Sequence, residues 1–491
     1  MPRYPSVLQV NTRVWLNSLS RCQGAQIGLA EVGATDWDRF ADLGMDWLWL
    51  LSVWQTGPKS RRVSHQHFEW RMEFLSLLHD LTEDDIGGSG FAIQEYRVAD
   101  GLGGEAALRQ ARDEVRRRGL RLMLDFVPNH VGLDHTWVSK HPDYLVTGSE
   151  EDLKRSPQNH VRLETPHGFR VFAHGRDPHF AGWPDTLQLN YGNPAVREVM
   201  LAELHKVAER CDGVRCDMAM LLLPDVFERT WGIHIEPFWP MAIQSIRQRW
   251  PDFVFLAEVY WDLEWTLQQQ GFDVTYDKRL YDRLRTPQPQ AVRDHLRADL
   301  EFQNHLARFL ENHDEPRAAV VFPDAQHEAA AIVTYLTPGL RFFHQGQLEG
   351  FRKRISPHLV RGPDEPVDAR LSGFYRRLLD ILRRPLVRDG DWCLLECAPA
   401  WHDNWTWNCF VAFVWCGRDE SRLLAVVNLA PHQSQCHVQL PFADLRGGNH
   451  RLTDVMDGSV YDRPGDQLAG KGLFVELPAW GYHVLDMRRS E

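Results

Sequence analysis

The sequence predicts an α/β protein built on a (β/α)8 TIM barrel, with an irregular domain inserted after strand 3 and a C-terminal antiparallel β-sandwich. Over the first three quarters of the chain, short runs rich in Val, Ile, Leu and Trp alternate with helix-like segments, which is typical of repeated βα units. From residue 132 to about 190 this periodicity is lost, and His, Pro, Asp and Gly become frequent. Beyond about Asp389, short strands follow one another without helical segments.

Eight candidate strands precede residue 389, and eight is the number that a closed barrel of this type requires. They are 7–14, 47–53, 122–127, 213–216, 254–258, 272–275, 307–311 and 340–343. We therefore assign 1–131 and 191–388 to the barrel, 132–190 to an irregular domain B, called the excursion below, and 389–491 to the C-terminal β domain.

Composition restricts the partners of the chain. The 491 residues carry a formal charge of -12, which argues against a nucleic-acid binder because such binding depends on clustered Lys and Arg. The eight cysteines contain no CxxC pair, so we expect reduced thiols and neither a zinc ribbon nor a disulfide framework. The chain begins without an export-signal pattern and contains no run of about 18 apolar residues, so we expect a cytoplasmic protein without a membrane partner.

Three acidic residues follow predicted strands: Asp217 after GVRC, Glu258 after FLA, and Asp314 in ENHDEPR. Barrel enzymes carry their catalytic groups at the carboxyl ends of the strands. Cleaving a glycosidic bond with retention needs two carboxyl groups about 5 to 5.5 Å apart, one to attack the anomeric carbon and one to protonate the leaving oxygen. These three residues are therefore candidates for such a carboxyl pair.

Local sequence suggests different roles for two of these carboxyls. Arg215 and Asp217 are two residues apart on a strand and so share a face, where the guanidinium would keep Asp217 ionised as a nucleophile requires. An Arg–Asp pair that only stabilises the barrel would give the same pattern. Glu258 follows the apolar run FVFLA, where desolvation would raise the pKa of its carboxyl toward that of a proton donor. A helix cap or an ion pair is the alternative for Glu258.

Four segments resemble, in order and spacing, the four conserved stretches of the α-amylase family, glycoside hydrolase family 13. They are DFVPNH (Asp125 to His130), GVRCD (Gly213 to Asp217), LAEVY with Glu258, and ENHDEPR (Glu311 to Arg317). The resemblance implies that Asp217 is the nucleophile, Glu258 the general acid/base and Asp314 a third carboxylate that holds sugar hydroxyls. It also implies substrate-binding roles, on the sugar or on the nucleophile, for Arg215, His130, His313, Phe91 and Asp125.

Several positions depart from the family pattern and indicate an atypical branch. Met220 and Leu221 stand where many α-amylases carry Lys and His, and Gly88 stands where many exo-acting α-glucosidases carry Asp. Leu348 replaces another family acid. Gln188 replaces the Asp that binds calcium, although Asn129 remains, and because hard cations prefer charged oxygens we predict no cofactor, with calcium not favoured.

The expected function is that of a retaining glycosidase acting on α-glucans or maltooligosaccharides. An α-glucan transglycosidase or a phosphorylase-like glucosyl or maltosyl transferase would use the same carboxylates. A noncatalytic binding relative is disfavoured because Asp217, Glu258, Asp314 and Arg215 are all present. A metal-dependent barrel hydrolase would need clustered His and Asp on strand ends, and the 23 histidines lie mostly in loops. The expected partner is an oligosaccharide or a small α-glucoside.

Overall fold

A computed structural model describes residues 1–490, in which eight strands close into a barrel. We number the barrel strands β1 (Ser6–Asn11), β2 (Trp47–Leu51), β3 (Arg121–Phe126), β4 (Gly213–Cys216), β5 (Val254–Ala257), β6 (Val274–Tyr276), β7 (Leu306–Arg308) and β8 (Leu340–His344). Each strand neighbours the next one along the chain, and β8 lies beside β1. The predicted fold class is confirmed.

The barrel strands differ from the predicted ones mainly at their ends. The first predicted strand runs three residues too far, because the Asn11 side chain accepts a hydrogen bond from the Val14 N–H (3.3 Å) and so caps a helix that begins at Thr12. The seventh strand ends at Arg308, which leaves 309–311 in the loop. Strands such as β2 (WLWLL) are buried along their whole length, as expected for a parallel sheet covered on both faces.

The chain divides into two compact units. The N-terminal unit comprises Leu8–Tyr276 and Lys353–Asp364, and the C-terminal unit comprises Met1–Val7, Asp277–Arg352 and the chain from Glu365 onward. No helix within residues 1–490 is both long and apolar enough to cross a membrane. All eight cysteines are free thiols.

The N-terminal unit contains most of β1, all of β2 to β6, and the excursion after β3. The excursion is more regular than its sequence suggests. Strand His130–Gly132 pairs antiparallel with Thr186–Gln188, and a three-stranded antiparallel sheet has the order Thr147–Gly148, Gly168–Ala173, His160–Thr165. These strands are short or largely exposed, so they show little hydrophobic alternation. A further antiparallel pair joins strand Trp54–Thr56 to strand Ile93–Val98.

The α-helices of the N-terminal unit are Thr12–Gln23, Ala34–Asp42, Pro58–Gln66, Phe68–Leu77, Gly104–Arg117, Trp137–Lys140, Glu150–Arg155, Pro194–Ala208, Pro224–Trp231, Trp239–Arg249 and Glu264–Gln269. Its 3-10 turns are Glu83–Asp85, Asp100–Leu102, Pro142–Tyr144 and Ala219–Leu222. In Gly104–Arg117 the buried face falls at the spacing of three and four residues that an amphipathic helix requires, with Leu108, Ala111 and Val115 inside.

The C-terminal unit contains β7, β8 and two antiparallel sheets. One sheet has the strand order Asp391–Leu395, Phe410–Cys416, Arg422–Asn428, Tyr482–Arg489, Asn449–Asp454, Val460–Pro464, and the other has the order Cys397–Ala398, Ser434–Val438, Leu473–Leu477. Residues of both sheets share one hydrophobic core, among them Phe410, Val426, Val438 and Val475, so the two sheets form a sandwich.

The α-helices of the C-terminal unit are Lys278–Arg285, Pro289–Leu296, Leu300–Asn304, Ala318–Val321, Ala325–Tyr335, Ala369–Leu382, Pro385–Asp389 and Gly465–Gly470. Its 3-10 turns are Thr406–Cys409 and Ala443–Leu445.

Candidate active site

Asp217 and Glu258 directly follow β4 and β5, two neighbouring strands. The parallel register places Cys216 beside Ala257, so the two acids leave the sheet at the same level. Backbone hydrogen bonds extend the register by one residue on each strand: the Asp217 N–H donates to Phe126 O (2.9 Å), and the Glu258 N–H donates to Cys216 O (3.0 Å). The backbones of Asp217 and Glu258 are therefore held by hydrogen bonds to neighbouring barrel strands.

Arg215 joins the two carboxyl groups. Its side chain is buried, Nη1 donates to Asp217 Oδ1 (2.7 Å), and Nη2 donates to Glu258 Oε2 (2.6 Å). Although burial opposes the charged form, the nearby Glu258 and other acidic groups raise the pKa of Arg215 well above its usual value. One permanently charged guanidinium thus holds both acids on the same side of the barrel.

Glu258 receives two further donors that the sequence does not reveal. The Met218 N–H donates to Glu258 Oε2 (2.7 Å), and the Tyr260 hydroxyl donates to Glu258 Oε1 (2.8 Å). Met218 can point its N–H this way because its backbone is left-handed, with φ of 43°. The expected apolar setting is therefore incomplete, since Glu258 is buried but fully engaged by polar partners. Tyr260 lies two residues beyond Glu258, which is the only sequence signal for its role.

Asp125 lies on β3, directly beside Arg215 in the register. Its Oδ1 accepts from Trp49 Nε1 (3.2 Å) and its Oδ2 accepts from the Ser52 N–H (3.1 Å), while Arg215 Nη1 lies 3.7 Å from Oδ1. Burial raises the pKa of Asp125 to about 7, and the positive charge of Arg215 opposes that shift. Asp125 therefore lies between the Arg215 guanidinium and the donors that come from β2 and the residue that follows it.

Phe91 and His130 are the other two predicted substrate-binding residues of the N-terminal unit. The Arg215 Cζ is 5.2 Å from the centroid of the Phe91 ring, a cation–π distance. His130 is buried, its ring centroid is 5.1 Å from that of Trp183, and burial lowers its pKa to about 3. At neutral pH His130 is therefore an uncharged ring with one N–H donor and one acceptor nitrogen.

The residues that would hold the family's calcium do not fit a cation. Gln188 Nε2 donates to Asn129 O (3.0 Å), Asn129 Oδ1 (3.0 Å) and Leu189 O (3.2 Å), and Asn129 Nδ2 donates back to Gln188 Oε1 (3.1 Å). An N–H2 group thus points at the oxygens that a calcium ion would need, and no carboxylate belongs to this set. Across residues 1–490, no cluster of three or more His, Cys, Asp or Glu side chains has the arrangement of a metal site.

Two other departures from the family pattern have clear structural causes. Residues Ala219–Leu222 form a buried apolar 3-10 turn, and Trp239 Nε1 donates to Ala219 O (2.9 Å), so Met220 and Leu221 belong to the core. Gly88 has φ of 81°, and a Cβ there would lie 3.0 Å from Arg61 Cα, so an Asp cannot be accommodated without a shift of the backbone.

His313 and Asp314 lie in the C-terminal unit, on the loop that follows β7. His313 Nε2 is 3.1 Å from Asp314 Oδ2, and the Asp314 N–H donates to Asn312 Oδ1 (2.9 Å). His313 is buried whereas the Asp314 side chain is 45% exposed. In the same loop Glu311 pairs with Arg317 (3.2 Å), and burial raises the pKa of Glu311 to about 7.

The segment around Leu348 is structural. Gln347 Nε2 donates to the hydroxyls of Tyr335 (2.6 Å) and Tyr375 (2.9 Å), while Gln347 Oε1 accepts from the His344 N–H (3.2 Å). Leu348 itself is buried. The segment therefore braces the end of β8 with neutral hydrogen bonds where the family pattern has an acid.

The sequence matches the family model of the alpha amylase catalytic domain over residues 34–365. Alpha-amylase MalA of Haloarcula japonica is 25% identical over 286 residues, which are 56% of this chain and 39% of that protein. Alpha-amylase 2 of Dictyoglomus thermophilum is 24% identical over 388 residues, or 73% of this chain and 62% of that protein. The matched part of the chain thus spans about two fifths to three fifths of these relatives.

The fold is shared by solved α-amylases. The crystal structure of an alpha-amylase from Lactobacillus plantarum superposes with a TM-score of 0.68 at 20% identity, covering 99% of both chains. The structural match shows the fold, and the family model covers more than half of the sequence. The chain belongs to the α-amylase family of glycoside hydrolases.

Proposed function

We propose that this protein hydrolyses α-glucosidic bonds in α-glucans or maltooligosaccharides with retention, through a covalent glycosyl intermediate on Asp217. The observation that carries the proposal is that one buried guanidinium, that of Arg215, hydrogen-bonds both Asp217 and Glu258. Two carboxyls held by a single side chain form a compact pair, as a retaining mechanism requires, whereas inverting enzymes separate them to admit a water.

In the first half-reaction Asp217 attacks the anomeric carbon. Arg215 favours the ionised form of Asp217 and fixes the direction of Oδ1, and the hydrogen bond from the Asp217 N–H to β3 limits backbone motion. As the glycosidic bond breaks, positive charge grows on the sugar ring. The carboxylates around the ring stabilise that charge.

Glu258 supplies the proton. Its Oε2 is occupied by Arg215 and by the Met218 N–H, so the proton belongs on Oε1, beside Tyr260. When Oε1 is protonated, the Tyr260 hydroxyl can still donate to the remaining lone pair of that oxygen, which leaves the proton free to point at the glycosidic oxygen. After the leaving group departs, the same oxygen takes a proton from the water that cleaves the glycosyl–Asp217 bond.

The remaining motif residues hold the sugar in this proposal. Asp314 accepts from two sugar hydroxyls, with His313 beside it as a donor, and this assignment depends on their positions in the family motif after β7. His130 contributes a neutral ring, as its lowered pKa favours. Phe91 provides an apolar face for the ring. The eight free cysteines support a reducing, cytoplasmic location.

The test uses two amide variants, Asp217→Asn and Glu258→Gln, and the exposed Glu236→Gln as a matched control. Each is incubated with maltooligosaccharides, sucrose, trehalose and sugar phosphates, with and without phosphate, while NMR follows the anomers. We expect the parent and the control to release the α-anomer first, and both site variants to lose activity while remaining folded. First release of the β-anomer, or substantial turnover by either site variant, contradicts the proposal.

The same measurement separates hydrolysis from transfer. Products longer than the substrate indicate that a sugar hydroxyl resolves the intermediate, and a sugar 1-phosphate formed only with added phosphate indicates a phosphorylase. Either outcome would leave the roles of Asp217 and Glu258 in place and replace the hydrolytic part of the proposal.

A further inference from the structure

Two tryptophans stand in solvent on one loop of the C-terminal sandwich. The loop connects strand Cys397–Ala398 to strand Phe410–Cys416, and in it Trp401 is 55% exposed and Trp405 is 66% exposed. Burying such a side chain would stabilise the fold by about 2 kcal/mol or more. Two exposed indoles four residues apart therefore require an explanation other than packing.

The loop backbone between Trp401 and Trp405 is held by hydrogen bonds, so the exposure of the two side chains does not come from an unsupported loop. Asn404 is buried, its Oδ1 accepts from the Ala400 N–H (3.1 Å), and its Nδ2 donates to Thr406 Oγ1 (2.8 Å). Thr406 Oγ1 also accepts from the Gln435 N–H (3.1 Å) on the neighbouring sheet. The Asn404 N–H closes a turn onto Trp401 O (3.1 Å).

The far end of the loop is held as firmly. Arg293 Nη1 donates to Asn408 O and to Phe410 O, both at 2.7 Å, and the Asn408 N–H closes a second turn onto Trp405 O (3.3 Å). The Trp405 ring rests edge-on against His432, with centroids 5.2 Å apart. A braced backbone that presents two aromatic rings is a preformed surface, which lowers the entropic cost of binding.

The two exposed side chains that follow Trp401 in sequence select the class of ligand. His402 and Asp403 are 97% and 90% exposed, and His402 Nδ1 lies 2.8 Å from Asp403 Oδ1. Stable protein–protein interfaces bury roughly 1,200 Å² or more in total over the two partners around a desolvated centre, and a loop with two solvated polar side chains beside its tryptophans does not provide such a centre. The Asp403 carboxylate also disfavours anions. A neutral ligand with apolar faces and many hydroxyls satisfies both the rings and the polar pair.

We propose that Trp401 and Trp405 form a surface binding site for a chain of α-linked glucose units, distinct in sequence and fold position from the loops that follow the barrel strands. The indole faces stack against the C–H faces of successive sugars, and His402 and Asp403 bond to their hydroxyls. The identity of the sugar rests on the function proposed above. The site holds polymeric substrate on the enzyme and takes no part in bond cleavage.

The test measures binding in a chain that does not consume the ligand, so every protein carries Asp217→Asn. Affinity electrophoresis in gels containing amylopectin, and adsorption to granular starch, are compared for this parent, Trp401→Ala, Trp405→Ala and the double variant. Phe68→Ala, which removes an even more exposed aromatic from the helix Phe68–Leu77, is the control. We expect each single variant to weaken binding roughly tenfold, the double variant to lose retardation, and the control to match its parent.

A second arm restores Asp217 and measures kcat/KM. On maltotriose the double variant should match the wild type, and on amylopectin at low concentration it should be slower. The proposal is overturned if the double variant binds amylopectin as its parent does, if the parent binds cellulose equally well, or if sedimentation shows a dimer that the double variant abolishes. Loss of starch binding by the tryptophan variants supports the site even if the proposed hydrolysis fails its own test.

Discussion

Replacing Gln188 by Asp should convert an internal amide contact into a calcium-dependent one. In the wild-type protein Gln188 Nε2 lies 3.0 to 3.2 Å from three oxygens, those of Asn129 O, Asn129 Oδ1 and Leu189 O. Gln188→Asp removes the N–H2 group and adds a negative charge among these acceptors. Because Gln188 is buried, that charge would keep at most the Asn129 Nδ2 amide as a donor, and only a bound cation would relieve its repulsion from the other oxygens.

The size of the effect is set by the uncompensated charge. Leaving a buried charge unpaired costs about 3 to 5 kcal/mol. At roughly 1 °C per kcal/mol for a chain of 491 residues, the melting temperature should fall by about 3 to 5 °C in EDTA. The shorter Asp side chain leaves room for an ion near the former Nε2 position, and calcium at about one hundred times its Kd should restore about 2.7 kcal/mol.

The assay is a thermal melt of the wild type, Gln188→Asp and the exposed control Gln158→Asp, each in EDTA and in calcium chloride. We expect calcium to change the melting temperature of Gln188→Asp alone. A wild type that melts lower in EDTA and recovers with calcium would refute the assignment of Gln188 as the replacement for the ion. An unchanged Gln188→Asp that ignores calcium would show that the amide contacts do not stabilise the fold.

Three further outcomes follow from individual contacts. Tyr260→Phe removes the hydrogen bond to Glu258 Oε1 and should lower kcat about tenfold with little change in KM. Steady-state kinetics on maltotriose would contradict this if the variant kept the kcat of the wild type. Burial lowers the pKa of His358 to about 3, from the usual 6.5. As the pH falls below 6.5 the unfolded chain binds a proton at this residue and the folded chain does not, so the free energy of unfolding should drop by about 1.4 kcal/mol per pH unit. Denaturant titrations should show weaker acid sensitivity in His358→Asn. Gly88→Ala should cost at least about 1 kcal/mol of unfolding free energy, measured in urea, because φ is 81° and Cβ would press on Arg61; a neutral substitution would mean that the loop adapts.

The barrel could be predicted from the sequence because its strands are continuous apolar runs, such as WLWLL in β2, that leave little choice of structure. Strand ends are less predictable, since the cap that starts a helix at Thr12 depends on a hydrogen bond that the Asn11 side chain accepts from the Val14 N–H. The sequence does not predict the small sheet in the excursion, because strands such as His160–Thr165 are only partly buried and carry almost no burial pattern.

The candidate site divides in the same way. The spacing of Arg215 and Asp217 on one strand predicts their contact, because a strand repeats its face every two residues. The donors from Met218 and Tyr260 could not be predicted, since they depend on a left-handed backbone and on a loop conformation that sequence spacing does not encode. The Asn129–Gln188 amide pair joins residues about 60 positions apart, which only the folded chain brings together.

The covalent intermediate on Asp217 is the central claim, and trapping it is the most direct test. A 5-fluoro-α-glucosyl fluoride has a good leaving group for the first step, while its ring fluorine disfavours the positive charge of the second, so the intermediate accumulates. Tryptic digestion after Arg215 releases residues 216–229, which contain Asp217. We predict that fragmentation of this peptide places the fluorosugar mass on Asp217 and that Asp217→Asn carries no label. A fluorosugar on any other residue, or turnover of the reagent without a labelled peptide, would contradict the account.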